Sequence, residues 1–350
     1  MSVTTKIFLT GATGYIGGSV VAGLLAHPEA KSFELIALVR DAGKADKFTS
    51  LGVKTIVGSY SDLELLTKVS AEVDIVIAMT TQAVSDSLGP TEAILQGLKK
   101  KYEATSKAPI IIHTSGAVRD IGIVSDLTAA GGIGTNKVYS DLASDDLATL
   151  PGKAVPMTSE LALIKADEEG YVKSYFIAPS TIYGLATGPL VDLGVQHRHS
   201  VQFPPTLRTF IARKRAGTIG SGKNVWPAAS YEDNLDLYMR LFDAVRKTPG
   251  KIGHGKNGFF FVESCEYNAY EVAEAAGKAL KELGVVDIAE PDNLTDEEKT
   301  KYFGPMWVFI ASTARVQADR GRSELGWKPV HGRAELFASI KPEIVELLKA

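Results

Sequence analysis

The chain has 350 residues, of which 45% are apolar and 23% are charged, and its formal net charge is −3. This length and apolar content allow a large buried core, in one domain or two lobes. The weak net charge argues against nucleic acid or an anionic membrane as a partner, and no stretch approaches the roughly 20 apolar residues of a membrane-spanning helix. The single cysteine, Cys265, excludes an internal disulfide and is typical of a reducing compartment. We therefore predict a cytoplasmic protein.

The first half of the chain alternates strand-like and helix-like segments. The predicted strands are Lys6–Thr10, Phe33–Val39, Lys54–Val57, Asp74–Met79, Pro109–His113 and Ser174–Ala178. The predicted helices between them are Tyr15–Ala26, Leu63–Val69, Thr91–Tyr102 and Ser159–Ala166. The strands are near-continuous apolar runs, which is typical of parallel strands buried on both faces. This alternation predicts an α/β fold with a doubly wound parallel sheet, the Rossmann type.

The pattern changes after Gly184, where glycines, prolines and aromatics are interleaved with helices at Thr206–Lys214, Glu232–Val245 and Tyr270–Leu283. We predict a nucleotide-binding domain over residues 1–185 and a smaller C-terminal substrate lobe over 186–350. Residues 257–263 read as one more strand that could return to the main sheet. Asp233 is expected to cap the helix that follows it. The Gly-, Ser- and Asp-rich stretch from Gly116 to Pro156 fits either a functional loop over the site or a surface excursion.

A glycine turn follows the first strand, with the sequence Thr10-Gly11-Ala12-Thr13-Gly14-Tyr15-Ile16-Gly17. The first glycine permits the tight turn, the second lets the backbone approach a pyrophosphate, and the third lets the helix pack on the strand. Free N–H groups and the helix dipole then hold the phosphates. The turn predicts dinucleotide binding; the alternative is an ordinary turn in a fold that has lost its ligand.

The spacing of this turn, T-G-x-x-G-x-x-G, resembles that of extended and atypical short-chain dehydrogenases/reductases, which are epimerase/dehydratase-like. Two further segments are similar to motifs of that superfamily: Pro179–Gly184, which resembles "RP-x-x-x-YG", and Leu325–Pro329, which resembles "LGW-x-P". The chain also has some NmrA-like character. The resemblance implies a nicotinamide dinucleotide cofactor, a small-molecule substrate and possible homodimers.

Arg40 stands directly after the second strand, where its guanidinium suits the 2′-phosphate of NADP(H). Asp41 complicates this interpretation, because it could pair with Arg40 or with a ribose hydroxyl instead. We therefore predict NADP(H) rather than NAD(H), with Lys44 able to assist. The resemblance places further residues along the cofactor: Gly11, Thr13, Gly14, Tyr15, Ile16, Gly17, Ser59, Tyr60, Ala78, Met79, Thr80, Thr114, Pro179, Ser180 and Ile182.

The fifth strand ends in His113-Thr114-Ser115, which resembles the superfamily's strand end with a catalytic hydroxyl, so Ser115 is the candidate that binds the reacting oxygen. The usual Tyr-x-x-x-Lys pair is missing where the resemblance places it, over residues 156–164. Tyr139 and Tyr183 are alternative proton donors. The histidines at 197 and 199 lack further ligands at metal-binding spacing, so no metal is predicted.

These features leave three functions open. The first is an NADP(H)-dependent oxidoreductase-like protein acting on a small organic carbonyl or alcohol at a non-standard active site. The second is a non-catalytic NADP(H)-sensing regulator, as in NmrA-like proteins. The third is a cofactor-assisted isomerase, cyclase or lyase.

Overall fold

The computed structural model describes residues 4–79, 88–116, 137–143 and 158–349. The strands are β1 (Thr5–Thr10), β2 (Phe33–Val39), β3 (Lys54–Val57), β4 (Ile75–Ala78), β5 (Ile110–Thr114), β6 (Tyr139–Ser140), β7 (Lys173–Pro179), β8 (Thr181–Tyr183), β9 (Gly217–Thr218), β10 (Val225–Ser230), β11 (Phe259–Val262), β12 (Cys265–Asn268), β13 (Asp292–Asn293) and β14 (Val316–Gln317). The helices are α1 (Tyr15–Leu25), α2 (Ala42–Ser50), α3 (Leu63–Ser70), α4 (Leu88–Thr105), α5 (Thr158–Glu168), α6 (Pro189–Asp192), α7 (Phe203–Arg213), α8 (Tyr231–Lys247), α9 (Ala269–Glu282), α10 (Asp296–Phe303), α11 (Trp307–Ile310), α12 (Asp319–Leu325) and α13 (Arg333–Leu347).

Seven parallel strands form the main sheet in the order β3-β2-β1-β4-β5-β7-β11. The chain runs outward from β1 to β3 and then crosses back to β4, so the strand order reverses between β1 and β4. In open α/β sheets, ligands bind beyond the carboxyl ends of the strands at such a reversal. The predicted doubly wound fold is confirmed, and it places the glycine turn at this position.

Helices cover both faces of the sheet. α1 packs against α8 on one face, and α4 packs against α3 and α5 on the other. Neighbouring residues of β5 identify the two faces, because His113 approaches Glu160 of α5 whereas Thr114 contacts Tyr238 of α8. The interior is apolar, and Phe8, Phe176 and Phe260 are fully buried between the layers.

Residues 259–262, from the second half of the chain, form an edge strand of the main sheet. β11 pairs in parallel with β7, with Phe259 opposite Phe176 and Val262 opposite Pro179. The flanking segments build a three-stranded sheet of β12, β10 and β8 beyond the end of β7. The chain therefore leaves the main sheet after β7, forms β8–β10 and α6–α8, and returns as β11 to complete the sheet edge.

The sequence analysis did not assign six of the helices, namely α2, α6, α10, α11, α12 and α13, and two of these show why. α2 buries only Ala45 and Phe48, so its apolar periodicity is weak. α13 contains Pro342, which lacks the N–H of an ordinary helical residue, and was not assigned as a helix. Within the described residues, no helix combines the length and the apolar character that crossing a bilayer demands.

Candidate functional site

Two glycines of the turn after β1 are required by close packing. Gly11 has a φ of +67°, and a Cβ there would stand 1.9 Å from the carbonyl oxygen of Met79 at the end of β4. A Cβ on Gly17 would stand 2.0 Å from the carbonyl oxygen of Gly11. The turn is thus pressed onto β4 on one side and onto the first turn of α1 on the other, which fixes the position of the helix start.

Gly14 is different, because neither its backbone nor its packing demands a glycine. Its φ of −74° and ψ of 171° are open to any residue, and the carbonyl oxygen of Gly11, at 3.1 Å, is the one atom that a Cβ would meet within 4 Å. Gly14 is the N-cap of α1, and no side chain caps the helix there. The N-terminal N–H groups of α1 therefore have no side-chain cap, as a pyrophosphate site requires.

Thr10, the last residue of β1, links the strands that border the turn. Its hydroxyl oxygen accepts a hydrogen bond from the Met79 N–H at 3.1 Å and another from the Tyr60 hydroxyl. Burial raises the pKa of Tyr60 well above its usual range. Ser59 accepts from the hydroxyl of Ser61 at 3.0 Å. Tyr60, Ala78 and Met79 therefore lie at the strand ends around the turn, whereas Thr80 is outside the described residues.

Arg40 is exposed directly after β2, and it makes no hydrogen bond or ion pair with any residue that the structure describes. Asp41 is the N-cap of α2, and its carboxylate accepts from the Lys44 N–H at 2.7 Å. The ambiguity at Asp41 is thereby reduced, since this carboxylate stabilises the start of a helix rather than pairing with Arg40. The guanidinium remains available to an anion.

A segment of the second lobe braces the glycine turn. The His197 N–H donates to the Thr13 carbonyl at 2.9 Å, and the side-chain amide of Gln196 donates to the Tyr15 carbonyl at 2.9 Å. The Tyr15 hydroxyl donates to the Gly184 carbonyl at 2.5 Å, and burial raises the pKa of Tyr15 far above its usual range. Sequence analysis missed these contacts, because their acceptors are main-chain carbonyl groups, which every residue type carries. Tyr15 is held as a structural link, while Ile16 beside it is half-buried.

Ser115 follows β5 and is 6% exposed. Its N–H donates to the Ile177 carbonyl at 2.8 Å, which extends the β5–β7 ladder by one residue. Its hydroxyl has no hydrogen-bond partner among the described residues. The Thr114 hydroxyl instead lies 2.7 Å from that of Tyr238, so Thr114 points to the opposite face.

Tyr183 and Tyr139 are not brought into contact with Ser115 by any hydrogen bond in the described residues. The Tyr183 hydroxyl donates to the Gly332 carbonyl at 2.9 Å, its side chain is buried, and burial raises its pKa. Its role here is structural, which does not support the predicted proton donation. Tyr139 is half-buried in β6, and the Lys137 ammonium lies 4.5 Å from the centre of its ring.

The junction after β7 is also structural. The Ser180 hydroxyl donates to the Val262 carbonyl at 2.5 Å, and Ile182 is 4% exposed in the core. Pro179 pairs with Val262 at the end of the sheet. Pro179 and Ser180 stand at the carboxyl end of β7 and Ile182 lies in β8, and the Ser180 hydroxyl is engaged by the fold.

The segment containing Leu325–Pro329 fastens the second lobe. Trp327 is fully buried, and its indole N–H donates to the Asp233 carbonyl at 3.0 Å. The Asp233 carboxylate accepts from the N–H groups of Val330 and His331, each at 2.9 Å. Asp233 is therefore not the helix cap that the sequence predicted: Ser230 caps α8, and Asp233 is free to bind the returning chain.

The histidine-rich segment makes ion pairs rather than a metal site. His199 lies 2.5 Å from Glu343, and Arg198 lies 2.9 Å from Glu346, both on α13. Across the part of the chain that the structure describes, no group of three or more His, Cys, Asp or Glu side chains is arranged to hold a metal ion.

The NmrA-like family model matches residues 3–99, which contain the glycine turn and the first four strands of the sheet. The oxidase ucsJ of Acremonium sp is 27% identical over 343 residues, an alignment that covers 94% of each chain.

Solved structures share the fold over nearly the whole chain. The UDP-glucuronic acid 4-epimerase of Bacillus cereus, in complex with UDP-glucuronic acid and NAD, has a TM-score of 0.64 at 14% identity and covers 98% of this chain and 100% of its own. The dTDP-glucose 4,6-dehydratase of Bacillus anthracis, in complex with NAD, has a TM-score of 0.64 at 15% identity, with 99% and 97% covered. The solved structures confirm the predicted Rossmann-type fold, and the family-model match agrees with the NmrA-like character that the sequence indicated.

Proposed function

We propose that this protein is an NADP(H)-dependent oxidoreductase that acts on a small organic carbonyl or alcohol. The observation that carries the proposal is the start of α1, where Gly11 and Gly17 fix the turn by packing and Gly14 leaves the helix N-terminus uncapped and open. That arrangement suits a dinucleotide pyrophosphate. The epimerase and the dehydratase with the same fold are described in complex with NAD, and the relative ucsJ is described as an oxidase.

The preference for NADP(H) over NAD(H) rests on Arg40 and Asp41. NAD sites use an acidic side chain after the second strand to bind the ribose 2′-hydroxyl. Here the acidic residue is one position later, and it caps α2 through the Lys44 N–H. Arg40, exposed and without a described partner, takes the first position, where its planar fork suits a phosphate.

Ser115 is the residue proposed to bind the reacting oxygen. It stands beyond the carboxyl end of β5, and its buried hydroxyl is not occupied by any described group. The bound cofactor would supply redox chemistry, and the chain would supply a hydroxyl that orients and polarises the substrate oxygen. The helix before β7, α5, contains Lys165 but no tyrosine, so the usual Tyr–Lys pair is not found on it.

The proposal is tested first by binding. Isothermal titration calorimetry with NADP+ and NAD+ should show tighter binding of NADP+. Arg40→Ala should remove that preference, because a charge-assisted hydrogen bond contributes about 1.5–3 kcal/mol, or roughly ten- to hundredfold in affinity. Arg208→Ala, which removes an exposed arginine on α7, is the matched control and should leave both affinities unchanged. Failure of both dinucleotides to bind at millimolar concentration would refute the proposal.

Turnover is tested next, by NADPH oxidation against a panel of aldehydes and ketones, with Ser115→Ala as the control for the active site.

A second function, a non-catalytic sensor of NADP(H), is favoured by the absence of the Tyr–Lys pair on α5 together with the NmrA-like match over residues 3–99. Tight NADPH binding with no oxidation by any carbonyl would favour the sensor, which should then discriminate NADP+ from NADPH in affinity.

A further inference from the structure

Three buried polar atoms without a hydrogen-bond partner in the described residues lie on two neighbouring elements. They are the hydroxyl oxygen of Ser115, Nε2 of His113 and Oε1 of Glu160. The side chains of His113 and Glu160 are 2% and 3% exposed. Folded proteins satisfy most buried polar groups, so a group left unsatisfied calls for an explanation, and catalysis is one.

The three groups share one face of the sheet. Successive side chains of a strand point to opposite faces, so His113 and Ser115 lie on the face away from Thr114. The contacts agree: Thr114 reaches Tyr238 on α8, and His113 reaches Glu160 on α5. Two residues along a strand span about 6.6 Å, so His113 and Ser115 are neighbouring positions on this face of the sheet.

Glu160 occupies the element on which the superfamily usually carries its Tyr–Lys pair. It lies in the first turn of the described part of α5, and its Oε1 is 3.3 Å from Nε2 of His113. That is ion-pair distance, although the two atoms are not aligned for a hydrogen bond. A carboxylate beside an imidazole favours the protonated ring, and imidazole is the side chain best able to exchange a proton near neutral pH.

Aromatic and hydroxyl side chains lie beside the pair. The His113 ring meets Phe176 of β7 edge-on, with centroids 6.2 Å apart, and Phe176 stacks on Phe259 of β11. Between α4 and α5, the Thr91 hydroxyl donates to the Ser159 hydroxyl at 3.1 Å. Among the described residues, Glu160 is the one acidic side chain within ion-pair distance of His113.

We propose that His113 and Glu160 are positioning residues that hold the proton exchanged by Ser115, in place of the missing Tyr–Lys pair. During reduction, the Ser115 hydroxyl would give its proton to the substrate oxygen and take one back from the His113 imidazole through a bridging water, because Ser115 Oγ and His113 Nε2 are not hydrogen-bonded to each other. Glu160 would hold the imidazole in position. During oxidation the proton moves in the opposite direction. This inference rests on the proposed function, because it assigns the proton source of that same site.

The test is a histidine titration by NMR, which does not depend on a known substrate. The chain has six histidines, and His113→Gln identifies the His113 signal; if that variant fails to fold, the contact of the ring with Phe176 identifies it in the unaltered protein. His254 is the matched control, since its Nδ1 lies 2.7 Å from Asp167 near the opposite end of α5.

The proposal predicts that Ser115→Ala and saturating NADP+ each shift the titration of His113 and leave that of His254 unchanged. Glu160→Gln should lower the pH at which His113 loses its proton. If NADP+ binds by calorimetry but neither NADP+ nor Ser115→Ala affects His113, this inference is overturned and the proposed function stands. If no dinucleotide binds, the proposed function fails and the inference fails with it.

Discussion

Replacing Gly14 with alanine should separate nucleotide binding from folding. The φ of −74° suits alanine, and the added Cβ would meet one atom within 4 Å, the Gly11 carbonyl oxygen at 3.1 Å. Alanine is a poorer N-cap than glycine, so the cost to the free energy of unfolding should be about 1 kcal/mol. The added methyl group, however, is expected to crowd a phosphate bound at the start of α1. Losing one or two charge-assisted hydrogen bonds of about 1.5–3 kcal/mol each predicts at least a tenfold loss of NADP+ affinity.

Gly11→Ala provides the contrast, because it damages the fold itself. Forcing alanine to a φ of +67° costs roughly 1–2 kcal/mol. The Cβ would also stand 1.9 Å from the Met79 carbonyl oxygen, and such overpacking costs about 1–3 kcal/mol more. Gly250→Ala is the neutral control, since no atom lies within 4 Å of its added Cβ.

Thermal unfolding and calorimetry with NADP+ measure the two effects separately. The reasoning predicts that Gly14→Ala melts close to the unaltered protein but binds NADP+ weakly, whereas Gly11→Ala is clearly destabilised. If Gly14→Ala binds NADP+ as tightly as Gly250→Ala does, the start of α1 is not the pyrophosphate site.

Three further predictions concern residues that hold the structure together. Burial raises the pKa of Asp141 from 3.8 to about 7, so between these pH values the folded state retains a proton that the unfolded chain releases. The contribution of this group to the free energy of unfolding is complete below pH 3.8. It falls by about 1.4 kcal/mol per pH unit as the pH rises and is lost once the pH passes 7. Urea unfolding at several pH values should show that dependence in the unaltered protein and less of it in Asp141→Asn; identical pH profiles would contradict the assignment. Asp233→Ala should lower the free energy of unfolding by about 3 kcal/mol, because the part-buried N–H groups of Val330 and His331 lose their charged acceptor, and an unchanged urea midpoint would count against it. Tyr183→Phe should cost about 1 kcal/mol in unfolding and leave NADP+ affinity unchanged by calorimetry, whereas a large affinity loss would restore Tyr183 as a site residue.

The architecture was predictable from the sequence because its signals are local. Apolar runs such as Phe33–Val39 coincide with observed strands, and the glycine turn marks the first crossover. The motif at Leu325–Pro329 was also recognisable from the sequence. The structure adds its physical role, because hydrogen bonds from Trp327 and Val330 to Asp233 hold this segment against α8.

The parts that sequence analysis missed depend on contacts between distant residues. The brace on the glycine turn joins His197 to Thr13 through backbone atoms, which no side-chain pattern reveals. The pair of His113 and Glu160 is separated by 47 positions and becomes visible only when β5 and α5 are packed together. Arg40, by contrast, could be chosen as a candidate phosphate ligand from its position after β2 alone. Only the structure shows that Asp41 caps α2 instead of pairing with Arg40.

The return of β11 to the main sheet has a consequence for synthesis and folding. Until residue 262 has left the ribosome, β7 is an exposed edge whose N–H and C=O groups invite pairing with other chains. A truncated protein ending near residue 185 would contain the glycine turn but would leave the edge of β7 unpaired, so it should aggregate. The main sheet can therefore be completed only after residues 186–262 have been translated, so the parts of the chain before and after β7 are expected to unfold in a single cooperative step.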